Sequence, residues 1–138
     1  MTLKTIIRVT ALLYLLVAGF SLVRFARTLA QWSFLDTLPL SVPPLYLALT
    51  GLVWGLAALG VVYGLWMQKG WAPRYALGFT TAYFAYIWLD RAIFAANPLS
   101  NVWFLAGTHV FILLFLWIAY RDRRIQTFFS ERAHIPPQ

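Results

Sequence analysis

A chain of 138 residues has room for one domain, and 62% hydrophobic against 11% charged residues excludes an ordinary water-soluble globular composition. The formal net charge is +7, but the basic residues sit at the ends of apolar runs and not on a polar face, which argues for membrane topology and against nucleic acid. Cysteine is absent, so thiol catalysis, disulfide exchange and cysteine-ligated metal or iron–sulfur sites are excluded together.

The first predicted span covers residues 5–27, with an uncharged stretch from Val9 to Val23 and basic residues at both ends that can reach toward headgroups. Lys4 and Arg8 before an apolar run also fit a signal peptide. Thr28-Leu29-Ala30 is a poor cleavage site, however, and the reading is a retained helix. Residues 28–44 mix Gln31, Trp32, Ser33 and Asp36 with Leu29, Leu35 and Leu38, an interfacial composition that suits a short helix on the membrane surface. Pro39, Pro43 and Pro44 end it, and Ser41 is a candidate cap for the next helix.

The second span, residues 45–68, carries no charge. Gly51 and Gly55 form one small-xxx-small pair and Gly60 and Gly64 another; nine residues separate them, so the pairs face opposite sides and admit two close neighbours. Lys69 to Arg74 form a tight basic turn in which Gly70 is the expected cap and Pro73 starts a third span, residues 73–96. Asn97-Pro98-Leu99-Ser100-Asn101 gives a second tight turn into a fourth span, residues 98–120, which contains His109. The basic tail, residues 121–138, places Ile125, Phe128, Phe129 and Ile135 at spacings that allow a helix with its apolar side on the membrane surface.

The expected fold is therefore all-α: one polytopic domain of four transmembrane helices in an up-down-up-down bundle. Eight basic residues (Lys4, Arg8, Lys69, Arg74, Arg121, Arg123, Arg124 and Arg132) fall on one side and three (Arg24, Arg27 and Arg91) on the other, which puts both termini in the cytoplasm. Trp66, Trp71 and Trp117 then mark the inner boundary, and Trp32, Trp88 and Trp103 the outer one.

The run Gly64-Leu65-Trp66-Met67-Gln68-Lys69-Gly70-Trp71-Ala72-Pro73-Arg74 resembles the central hairpin of several families of small, uncharacterised bacterial four-helix membrane proteins. In those families a Gly-Leu-Trp helix end is followed by a basic turn and a Trp-Ala start. The resemblance covers under a tenth of the chain. It implies a bacterial inner-membrane setting and no activity.

Asp90 is the only acidic residue that the hydrophobic pattern places within a span, so it needs a partner. Arg24 and Asp90 each lie sixteen residues beyond a basic residue at the inner end of their span, which puts both roughly 24 Å from the inner boundary. His109 and Tyr86 share a level roughly 18 Å up. The expected polar cluster is thus Arg24, Asp90, His109, Tyr86 and Tyr83, with Ser21 nearby, and Arg24 is the expected counter-ion of Asp90. Arg91 points about 100° away and reaches headgroups or a neighbouring subunit. The cluster has two readings: an ion pair that fixes helix register, or a pocket for an amphipathic molecule such as a lipid or quinone. His109 also has two: an imidazole satisfied inside the bundle, or the single axial ligand of a haem or pigment.

No serine with a base, metal-spaced histidine pair, paired carboxylates or phosphate loop is present, so a catalytic role has no motif behind it. No metal or other cofactor is expected. The leading functional expectation is a non-catalytic integral membrane protein, a small accessory subunit of a larger membrane assembly whose partners are lipid and other membrane subunits or further copies of itself. The alternative is a lipid- or quinone-binding or transport module built on the polar cluster, and a lesser one is a pigment- or haem-binding subunit.

Overall fold

The computed structural model describes residues 3–38, 42–94 and 102–121, together with Ile125, Thr127 and Phe129. These form α1 (Leu3–Ala30), the five-residue α2 (Trp32–Asp36), α3 (Pro44–Trp66), α4 (Ala72–Phe94) and α5 (Val102–Arg121), with no strand among the described residues. Three helical stretches, Lys4–Ala30, Pro44–Trp66 and Val102–Arg121, are long and apolar enough to cross a membrane. α4 is as long as α3, at 23 residues, but less apolar: it carries Arg74, Thr80, Thr81, Asp90 and Arg91.

The closest helix pair is α1 against α3. Along α1 the inward positions are Ile7, Ala11, Tyr14, Ala18, Ser21, Phe25 and Thr28, alternating steps of four and three residues. α3 answers with Ala48, Gly51, Gly55 and Ala58 on the same alternation, and Val61 and Leu65 continue its buried face. That 3.5-residue repeat keeps one narrow seam facing its partner over the length of both helices. The residues at the seam are small, so the backbones meet: a Cβ built on Gly51 would lie 2.9 Å from the Ser21 carbonyl oxygen and 3.0 Å from the Phe25 nitrogen. On Gly55 it would strike the Leu22 side chain at 2.6 Å. Late α1 thus meets early α3, and the helices run antiparallel.

The second glycine pair turns to α4. Gly60 receives the Tyr75 ring, whose hydroxyl would lie 3.2 Å from an added Cβ, and Gly64 receives Trp71 and Ala72. α4 repeats the alternation once more, with Ala72, Ala76, Phe79, Tyr83, Tyr86 and Asp90 as its inward stripe. Between α3 and α4 this stripe builds a ladder of rings: Trp54 meets Phe79 edge-on at 5.7 Å and Tyr83 at 5.1 Å, and lies tilted against Tyr86 at 5.1 Å. α5 packs mainly on α4, with Tyr120 near its end set against the core of α1, α3 and α4 and close to Tyr14, and leaves Trp103, Phe104 and Phe111 at least 70% exposed.

Three local features differ from the sequence reading. α3 is closed by Gln68 and not by Gly70: Gln68 has φ 53°, its N–H donates to Leu65 O, and the Lys69 N–H donates to Gly64 O, which together form a Schellman cap. α3 begins at Pro44, with Pro43 in extended conformation before it and no side-chain cap; Ser41, Asn97 and Asn101 lie outside the described residues. In the tail, Ile125 and Phe129 do not face outward. They are 4% and 2% exposed and join Ile7, Ala11, Leu65 and Ala72 in one core. Their burial follows from the small residues there, which leave room between the ends of α1, α3 and α4. Phe128, Ile135 and His134 lie outside the described residues.

These contacts rank the glycines. Gly51→Ala is expected to destabilise the fold by about 1–3 kcal/mol, because backbone atoms of α1 cannot give way. Gly107→Ala, with nothing within 4 Å of its added methyl, is expected to be neutral or mildly stabilising. Thermal unfolding of the two variants in one detergent checks the order.

Candidate functional site

The polar groups of the bundle gather where the start of α3 meets the ends of α1 and α4. Asp90, half-buried on the inward stripe of α4, accepts a hydrogen bond from the Tyr46 hydroxyl at 2.8 Å. The Tyr46 ring is held in turn by Phe94, one turn beyond Asp90, at 5.1 Å between centroids. Pro44 starts α3 and thereby places Tyr46 in its first turn, at the height of Asp90 in the last turns of α4.

Arg24 does not pair directly with Asp90, as the sequence reading expected. Its Nη2 donates to Thr50 Oγ1 at 2.5 Å and to the Tyr86 hydroxyl at 3.3 Å. Thr50 is prepared for this, since its own proton goes to the Tyr46 carbonyl oxygen at 2.7 Å and its lone pairs remain for the guanidinium. Tyr46 and Tyr86 are close neighbours, so the cation and the carboxylate belong to one network joined through tyrosines. Level was the correct criterion but cation was too narrow a search. A phenol in the first turn of α3 stands at the same height, and a neutral donor satisfies a carboxylate without bringing a second charge out of water.

Tyr83 lies beside this network and contributes its ring. It stacks on Phe79 at 5.7 Å with planes 9° apart and meets Trp54 edge-on. Ser21 is at the α1–α3 seam, where its carbonyl oxygen faces Gly51. Arg24 is exposed on the flank of α1, and Arg91 is half-buried.

His109 does not join the cluster. It is 8% exposed, lies flat on Phe84 at 3.9 Å with planes 11° apart, and its Nδ1 accepts the indole N–H of Trp88 at 3.1 Å. Phe84 and Trp88 are one turn apart on a face of α4 other than that of Tyr83, Tyr86 and Asp90. Trp88, assigned to an outer aromatic belt from sequence, therefore turns inward to fasten α5. The donor set speaks against His109 as an axial ligand. A ring whose Nδ1 accepts a hydrogen bond carries its proton on Nε2, whereas ligation through Nε2 needs the proton on Nδ1, where it would face the Trp88 N–H. No group of three or more potential metal ligands occurs among the described residues.

A further polar contact, unmarked in the sequence, joins α1 to α4 within the core. The Tyr14 hydroxyl lies 2.6 Å from Thr80 Oγ1, and Thr80 in turn donates to the Ala76 carbonyl oxygen at 2.9 Å. Both side chains are buried, at 7% and 5% exposure. Tyr14 stands on the α1 seam and Thr80 beside the α4 stripe, so only the helix register places them together.

Fold and polar groups together define a helical protein with three helices apolar enough to cross a membrane, in which side-chain hydrogen bonds join one helix to the next. Comparison with family models, curated proteins and solved structures gives no match for this chain.

Removing the Tyr46 hydroxyl isolates a half-buried carboxylate. Tyr46→Phe is expected to cost about 1–3 kcal/mol, and Tyr46→Phe with Asp90→Asn less than the sum of the single changes. Chemical denaturation in detergent measures the four members of the cycle.

Proposed function

We propose that the protein is a non-catalytic subunit of a larger membrane assembly in a bacterial inner membrane. All four long helices cross the bilayer, both termini lie in the cytoplasm, and the polar network sits in the outer half. The observation that carries the reading is how the polar side chains are used. Tyr46 holds Asp90, Thr50 and Tyr86 hold Arg24, Trp88 holds His109, and Tyr14 meets Thr80. Each contact joins two helices, which is the work of a scaffold. α4 tolerates its lower apolarity in a bilayer because Thr80, Tyr86 and Asp90 are turned to α1 and α3, not to lipid. The α5 flank, with Trp103, Phe104 and Phe111 outward, is an apolar surface available to a neighbouring subunit.

A second reading has support in one observation: Arg24 remains exposed at the edge of the network, with guanidinium donors beyond those spent on Thr50 and Tyr86. In that reading the cluster of Arg24, Tyr83, Tyr86 and Asp90 binds the polar end of a lipid or quinone.

The chain has no cysteine, which makes topology directly measurable. With single substitutions, Gln31→Cys is expected to react with a membrane-impermeant maleimide in intact cells and Lys69→Cys only after lysis; the reverse pattern inverts the orientation. Protein extracted from native membranes with mild detergent is expected to co-purify with at least one other membrane polypeptide in fixed ratio. A monodisperse monomer that brings along quinone, and loses it in Asp90→Asn with folding unchanged, replaces the scaffold reading with the ligand-binding one.

A further inference from the structure

A groove of about 620 Å³ runs between α3 and α4, open to the outside of the bundle. That volume falls within the range of about 300–1,000 Å³ typical of ligand clefts. Its α4 wall is Arg74, Tyr75, Gly78 and Ala82, and its α3 wall is Trp54 and Ala57. The depth comes from absent side chains: nothing lies within 4 Å of a Cβ built on Gly78, and Ala57 and Ala82 add only methyls. Tyr75 braces the floor by donating to the Ala57 carbonyl oxygen at 3.3 Å.

The groove has a polar end and an apolar run. Trp71 and Arg74 line one end, next to the turn that holds Lys69, and from there the walls are aromatic or small as far as Trp54 and Ala82. No acidic residue occurs between Asp36 and Asp90, so neither α3 nor the α3–α4 turn supplies a countercharge to Arg74 and Lys69. From Trp71 to Ala82 the helix rises roughly 16 Å, close to the roughly 15 Å depth of one leaflet's hydrocarbon. A furrow in contact with a bilayer does not stay empty, because its walls would lose their dispersion contacts.

We infer that this groove seats one acyl chain of an anionic phospholipid, with the headgroup phosphate on Arg74 and the chain lying along Gly78 and Ala82 between Tyr75 and Trp54. The inference rests on the reading that α4 crosses the bilayer; Ser100→Cys, expected to react with the same impermeant maleimide in intact cells where Lys69→Cys does not, tests that crossing separately, so either can fail without the other.

The test uses the full chain purified in mild detergent and offered phosphatidylglycerol or phosphatidylcholine with identical acyl chains, with retained lipid counted by native mass spectrometry. The expected result is one phosphatidylglycerol per chain, held about fivefold more tightly than phosphatidylcholine. Arg74→Gln is expected to bring the two lipids to equal retention without touching the packing. Gly78→Leu, whose Cβ has nothing within 4 Å and whose branched end enters the furrow, is expected to abolish retention of both, and Gly107→Leu, with an equally open Cβ position but on α5, to leave it unchanged. Equal retention of the two lipids by the unaltered protein overturns the inference, as does full retention by Gly78→Leu. A chain dimer that Gly78→Leu disperses, with no lipid held, overturns it in favour of a second copy in the groove.

Discussion

The backbone contact between α1 and α3 at Gly51 governs the rest of the bundle. With the Ser21 carbonyl and the Phe25 nitrogen where a side chain would stand, the two helices have one allowed separation and one register. In lipid there is no hydrophobic drive between helices, so association depends on packing closeness and on hydrogen bonds that close approach permits. The small residues of the seam supply the first. They also set up the second, because a fixed register of α1 and α3 brings Arg24 level with Thr50 and Tyr14 to the height where α4 presents Thr80.

α4 then has its position determined twice. Near the α3–α4 turn it is seated by Ala72 and Trp71 against Gly64, and at the far end by Tyr46 bonding to Asp90. Between these points the rings of Trp54, Phe79 and Tyr83 fill the space between the two helices. α4, the least apolar of the long helices, contacts α1, α3 and α5, and its inward polar groups meet partners there: Thr80 with Tyr14, Tyr86 with Arg24 and Asp90 with Tyr46.

Helical class, three of the four expected apolar spans and the two-sided glycine pattern of α3 were legible in the sequence, because each depends on composition or on spacing within one helix. The partner of Asp90 was not. Depth arithmetic put Arg24 and Asp90 on one level, but level fixes one coordinate of three, and rotation about α1 carries the guanidinium to Thr50 and Tyr86 while Tyr46 reaches the carboxylate. The seam of α1 was missed for a related reason. Ala11, Ala18 and Ser21 are unremarkable in a run where most residues are apolar, and only burial separates the inward repeat from Leu12, Leu13, Leu15 and Leu16, which are 45–59% exposed. Likewise Ile125 and Phe129 fit a surface helix and a core helix equally well by periodicity alone.

His109 and α5 pose the remaining question of design: why a histidine should be used where α5 packs, when leucine would fill the space. The structure of the contact supplies an answer. α5 packs on the bundle chiefly through α4 and presents mostly large apolar side chains that slide over one another with little preference for depth. A flat ring on Phe84 and an acceptor for the Trp88 indole are both directional, and both are lost if α5 shifts by one turn. Leu116 packs two turns away without such a preference. The histidine therefore helps to set the height of α5, alongside Tyr120 at its end, and the same geometry commits Nδ1 to accepting a hydrogen bond and leaves the ring proton on Nε2.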